Sequence, residues 1–164
     1  MSVSRLDLFE DVSVSAVELL QSQLAAAIDL ATQAKQAHWN VGGPNCVTLY
    51  KMFGVVAFEV ARHADLIAQR IIHLGGFAEG TVRVVSERSV LPAYPLTIRS
   101  GLEHIDALSS ALASFGRSLL SAINLLVTTG DQNTADMLAE IYTIAVRLRG
   151  LGGVYKVVDV RLEP

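Results

Sequence analysis

Cysteine is almost absent from this chain. Cys46 stands alone, which excludes an internal disulfide and fits a reducing, cytoplasmic setting. No basic residue beside it in sequence activates the thiol. Proline is nearly as scarce, at positions 44, 92, 95 and 164 only, so long segments run without a breaker, as an α-helical protein requires. Basic clusters are missing too. With a net charge of −3, the chain lacks the electrostatic footprint of a nucleic-acid binder. The mean hydropathy of +0.42 invites a membrane reading. Yet every apolar run is broken by Asp, Glu, Arg or Lys before the roughly 20 residues that a span needs. The N-terminus, MSVSRLDLFEDVS, has neither the basic n-region nor the apolar h-region of a secretory leader. HExxH, ExxH and CxxC pairs, a glycine-rich phosphate loop and a Ser-His-Asp ordering are all lacking.

Apolar residues are plentiful, at 51% against 18% charged. That predicts a rich core together with buried subunit contacts. After a mixed-charge arm over 1–12, Ser13 or Ser15 can cap a first helix, with Glu18 completing a capping box. Its period continues to about Asn40, where Gly42-Gly43 ends it and Pro44 opens the next. A second helix is expected from about Asn45 to Leu74, stopped by Gly75-Gly76. The connection over 77–99 is too long for neighbouring antiparallel helices and predicts a crossover, with a short helix in it. Third and fourth helices follow over about Ser100–Thr128 and from Asn133 or Thr134 to Arg149. Gly150, Gly152 and Gly153 then predict an interrupted tail over about 150–164. The whole reads as one all-α domain, a four-helix bundle with one long crossover: ferritin-like, or less readily cytokine-like.

On the second helix Asp65, Gln69 and His73 are spaced i, i+4, i+8, within about 80° of one another at 100° per residue. A carboxylate, an amide and an imidazole on one line can form a wall of a metal site. They also suit a solvated helix face, with His73 complementing the C-terminal dipole. His63 is about 200° from Asp65 and faces elsewhere, within pairing reach of Glu59. His38 ends the first helix beside Trp39, either as a ligand or as a core or interface histidine.

HWNVGGPN, followed by a helix containing DLIAQRI and ending in LGG, resembles the Dps proteins, the dodecameric mini-ferritins. GDQNTADMLAEI resembles the opening of their fourth helix. The resemblance covers roughly residues 12–145. It implies a shell of twelve subunits that oxidises Fe(II), typically with hydrogen peroxide, stores the ferric product and limits oxidative damage. The implied site lies between two subunits, with His38 from one and Asp65 from its neighbour, and Trp39 beside the centre as an interceptor of radicals. Three positions depart from the family pattern: Tyr50 replaces a second His, Gln69 replaces a Glu, and Gly54 stands at an acidic position.

Iron favours carboxylate oxygens, so these departures lower both charge and ligand count. Either His73 and His63 substitute for the lost ligands, giving a nitrogen-richer centre at which Zn(II) competes, or the centre is weak and the shell only sequesters iron or zinc. The resemblance also places Asp131, Asp136 and Glu140 around threefold pores that admit iron. The alternative is plain helix-dipole compensation in a first turn. Tight DNA binding is not expected, because Lys156 and Arg161 are offset by Asp159 and Glu163.

Overall fold

A computed structural model of the chain describes the backbone of residues 5–162 and the side chains of 14–156. The elements are α1 (Arg5–Asn40), α2 (Cys46–His73), α3 (Val82–Arg88), α4 (Gly101–Thr129) and α5 (Gln132–Leu162). No strand occurs among the described residues, only an isolated bridge between Gly42 and Ser100. The expected all-α bundle with a helix-bearing crossover is the observed architecture.

Helices α1 and α2 form one antiparallel hairpin, α4 and α5 the other. The pairs meet where α1 packs on α4 and α2 on α5, and α3 lies along α1. Leu20, Leu30, Leu49, Phe53, Ile67, Phe115, Leu119 and Ile141 are among the side chains sealed in the shared core. By length and composition α4 is apolar enough to cross a membrane. Its apolar stripe, from Ile105 and Leu108 to Leu119 and Leu126, instead packs into the bundle.

Schellman turns stop α2 and α4. After α2, Gly75 takes φ +82°, its N–H bonds the Ile72 carbonyl, and the Gly76 N–H bonds that of Ile71. The same pattern recurs at Gly130 and Asp131. Such a turn needs a residue that tolerates the left-handed region, hence glycine. The crossover then carries the chain back along the bundle. Gln21 donates to the Phe77 carbonyl and Gln33 to the Pro92 carbonyl, pinning it to α1. At the far end the Gly42 N–H bonds the Arg99 carbonyl. Ser100 and Glu103 there close a reciprocal capping box on α4. The Ser100 bonds hold the Glu103 carboxyl below its usual range.

Two boundaries differ from expectation. The first helix starts at Arg5 rather than near Ser13, so most of the expected arm is helical and Ser15 and Glu18 lie inside α1. Nothing in RLDLFEDV breaks a helix, and a capping signature inside a helix carries no stop information. Residues 1–4 and the side chain of Ser13 lie outside the described residues. The last helix runs through Gly150, Gly152 and Gly153 to Leu162. Each glycine weakens a helix by about 1 kcal/mol relative to alanine. Gly152, however, is buried against α4: a Cβ there would lie 2.9 Å from Ile105 Cγ2. Packing holds the helix where propensity alone predicts a break.

Candidate metal centre

His38 sits in the last turn of α1, opposite the first turns of α2. Its imidazole stacks on the Tyr50 ring, with centroids 3.8 Å apart and planes inclined by 29°. Its Nδ1 lies 2.8 Å from the Tyr50 carbonyl oxygen. A carbonyl only accepts, so Nδ1 carries the proton and Nε2 keeps its lone pair. A metal-binding imidazole is oriented in this way, with one nitrogen tied to a carbonyl and the other free to ligate. Gly54 makes the approach possible: a Cβ at that position would lie 3.2 Å from His38 Nδ1 and 3.3 Å from Cε1. Tyr50 and Gly54, two of the three departures from the family pattern, therefore form the cradle of His38.

Asp65, Gln69 and His73 are all exposed on the outer face of α2. Val47, Phe58 and Ile72 lie within about 20° of Asp65 around that helix, and each is more than half exposed. A polar line set in an uncovered apolar face suits a surface that meets another chain. Asp65 lies eleven residues beyond Gly54, so about 16 Å further along the helix axis. Ligand atoms on one metal sit about 2 Å from it. His38 and Asp65 of the same chain therefore cannot hold the same ion.

His63 does not belong to this face. It is 3% exposed, in the core, and its Nδ1 has no hydrogen-bond partner. Burial lowers its pKa, against the raising effect of Glu59 and with the lowering effect of Arg62. Glu59 pairs with Arg62 at 3.4 Å rather than with His63. As a substitute ligand for the Asp65 line, His63 is thus ruled out by its direction. That leaves His73 as the extra imidazole on the line.

Asp131 also has another task. Its carboxylate accepts from the Thr134 N–H at 3.1 Å and from the Thr134 hydroxyl, and it pairs with Arg70 at 3.2 Å. Arg70 Nε in turn donates to Thr134 Oγ1 at 2.8 Å. Asp131 caps α5 and clamps it to α2, with only 12% of its side chain exposed. Asp136 and Glu140 are exposed, Asp136 accepting from Gln132 at 2.6 Å. Of the three expected pore residues these two remain free to face a channel.

One pair carried no signal in the sequence. His104, 1% exposed, has its Nδ1 2.6 Å from the Tyr94 hydroxyl. Burial pushes the Tyr94 phenol up to about 12 and the His104 imidazole down. The phenol and Nδ1 share this hydrogen bond, and Nε2 lies beside the Asn40 backbone but outside hydrogen-bond geometry. Phe53 meets His104 edge-on. The pair joins the crossover and α4 to the end of α1, two residues after His38.

A profile of the ferritin-like domain matches residues 17–149. The DNA protection during starvation protein of Agrobacterium fabrum is 35% identical over 141 residues, covering 86% of this chain and 85% of that protein. The chain belongs to the Dps family of ferritin-like proteins. A second Dps relative, from Bacillus anthracis, is 31% identical over 77% of this chain and 86% of its own length. Among solved structures, Dps of Microbacterium arborescens in its high-iron form superposes with a TM-score of 0.83 at 25% identity, over 89% of this chain and 95% of that one. Vibrio cholerae Dps, described as one of the ferritin-like diiron-carboxylate proteins, reaches 0.85 at 16% identity over 94% and 97%; at that identity it attests the fold alone. The Dps fold accounts for the crossover helix, and the family is one of iron-binding mini-ferritins.

Proposed function

We propose that this Dps protein oxidises Fe(II), with hydrogen peroxide as oxidant, and stores the ferric product inside a twelve-subunit shell. The centre is shared: His38 of one subunit faces Asp65 and Gln69 of its neighbour, with His73 at the end of the same line and Trp39 alongside. The carrying observation is the His38 geometry, an imidazole fixed through Nδ1 with Nε2 free, set against Gly54, which lies about 16 Å along α2 from Asp65 of the same chain. In an isologous pair each subunit supplies both halves, so one interface builds two centres. Asp65 gives the hard anionic oxygen that iron prefers, Gln69 a neutral carbonyl oxygen, and His38 and His73 nitrogens. This donor set also suits Zn(II), which competes for the same place. Asp136 and Glu140, repeated around a threefold axis, form acidic rings that draw in Fe(II).

Stopped-flow iron oxidation by assembled protein, with peroxide and with oxygen, tests this reading. A peroxide rate well above that of free Fe(II) is expected. A rate equal to background from intact shells would leave only sequestration of iron or zinc. Duplex DNA is not expected to be retained in a mobility-shift assay at physiological salt, because a net charge of −3 releases few counterions on binding.

A further inference from the structure

Hydrogen peroxide takes two electrons, whereas Fe(II) gives one. A site that seats two irons together supplies both. Bundle-core diiron sites do so with four carboxylates and two histidines. No group of three or more His, Cys, Asp or Glu gathers among the described residues of this chain. The shared site proposed above offers one carboxylate, Asp65, which cannot both hold and bridge a pair. It is suited to one iron at a time, and the second electron must come from elsewhere.

The ring packed on His38 is a phenol. Tyr50 lies 3.8 Å from the His38 imidazole, centroid to centroid. In the single chain it is 49% exposed. Trp39, 69% exposed in the single chain, makes no ring contact with His38 among the described residues. We infer that Tyr50 is an electron relay for peroxide-driven iron oxidation: it supplies through His38 the second electron that a one-iron site lacks, then recovers it from the next Fe(II).

The step balances. Fe(II), hydrogen peroxide, the Tyr50 phenol and one solvent proton give Fe(III), the Tyr50 phenoxyl radical and two waters. The peroxide O–O bond breaks, the phenol O–H bond breaks, and iron and tyrosine lose one electron each. A second Fe(II) and a proton then return the radical to phenol and yield a second Fe(III). The sum is two irons per peroxide with no free hydroxyl radical, the outcome of a two-iron site reached in sequence. This rests on the shared ferroxidase reading. Tyr50 is a positioning residue as well, because its ring and carbonyl both hold His38. The hydroxyl is the part that only the relay needs.

Tyr50→Phe separates these roles, since it keeps the ring, the stack and the backbone carbonyl. Assembled wild type and Y50F would be mixed with Fe(II) and peroxide and freeze-quenched for electron paramagnetic resonance. Spin-trapped hydroxyl radical and iron oxidised per peroxide would be measured alongside, with Trp39→Phe as a control. The expected result is a tyrosyl signal in wild type and W39F that is lost in Y50F. In Y50F trapped hydroxyl radical should rise several-fold, and the yield should fall from two irons per peroxide towards one. Fast iron oxidation with the same radical yield and stoichiometry in Y50F, or a signal that vanishes in W39F, overturns the relay and leaves the ferroxidase standing. Background-level oxidation by intact wild-type shells removes both.

Discussion

The His38 imidazole donates to the Tyr50 carbonyl across the α1–α2 hairpin at 2.8 Å, and that single bond leaves Nε2 as the nitrogen for the proposed metal centre. His38→Ala removes the nitrogen without touching the core, since the half-buried ring lies outside the core cluster. Iron oxidation should fall by about tenfold or more, the scale on which metal sites respond to losing such groups. Light scattering should still report an intact shell.

Gly54→Ala tests the cradle. The added methyl would sit 3.2 Å from His38 Nδ1, so the ring must retreat by a few tenths of an ångström from the Tyr50 carbonyl. Alanine favours the helix by about 1 kcal/mol over glycine. The melting temperature should therefore hold or rise while iron oxidation slows. A variant with unchanged kinetics would show that His38 does not depend on that approach.

If position 54 of one subunit meets position 65 of its neighbour, and the reverse, the twofold axis crosses α2 near residue 59 or 60. Phe58, 64% exposed in the single chain, would then lie beside its own copy. Phe58→Glu sets like charges together there and should yield subunits that remain helical by circular dichroism but dissociate in sedimentation, with iron oxidation lost alongside.

Asp131 and Asp136 should separate cleanly. Asp131→Ala removes a helix cap and strands Arg70, which together should destabilise by about 1–3 kcal/mol, measured as a lowered denaturant midpoint. Asp136→Asn with Glu140→Gln should leave stability nearly unchanged and slow iron uptake by intact shells. Equal iron uptake in that double variant would remove both residues from the proposed channel.

Acid should weaken the fold through its buried histidines. Burial lowers the pKa of His63, despite Glu59 nearby, and of His104. In the folded state both stay neutral at pH values where the unfolded chain, titrating near 6.5, already binds protons. Their contribution is present in full above about pH 6.5 and declines as pH drops from there towards the lowered folded values. The melting temperature should fall through that window, and His63→Leu should flatten the slope. A slope identical to wild type would place the acid sensitivity elsewhere.

The helix ends near Gly75, Ser100 and Thr128 were legible, and backbone chemistry explains them: Gly75 and Gly130 in left-handed turns, and Ser100 with Glu103 as a cap. The misplaced ones depended on packing. Gly152 reads as a breaker until Ile105 is seen against it, and Ser15 reads as a start until the helix continues past it. His38 and the Asp65 line were legible as motif residues. Their fixing was not, because the Tyr50 carbonyl and the gap at Gly54 are properties of one helix lying against another. The angle of His63 away from Asp65 was legible in the helical period; that it points into the core was not, because that too depends on how α2 packs. Phe58 left a fainter sign, an apolar residue off the buried stripe.

The separation between His38 and Asp65 along one chain has a consequence for how the protein behaves as it is made. If the centre is shared as proposed, a lone subunit carries both halves of the chemistry and performs none of it, because neither half reaches the other. Activity then follows mass action, rising more steeply than the protein concentration until the pairs are saturated. On that reading newly made chains stay redox-silent until they have paired, and iron oxidation begins only where there is already a wall to enclose the product.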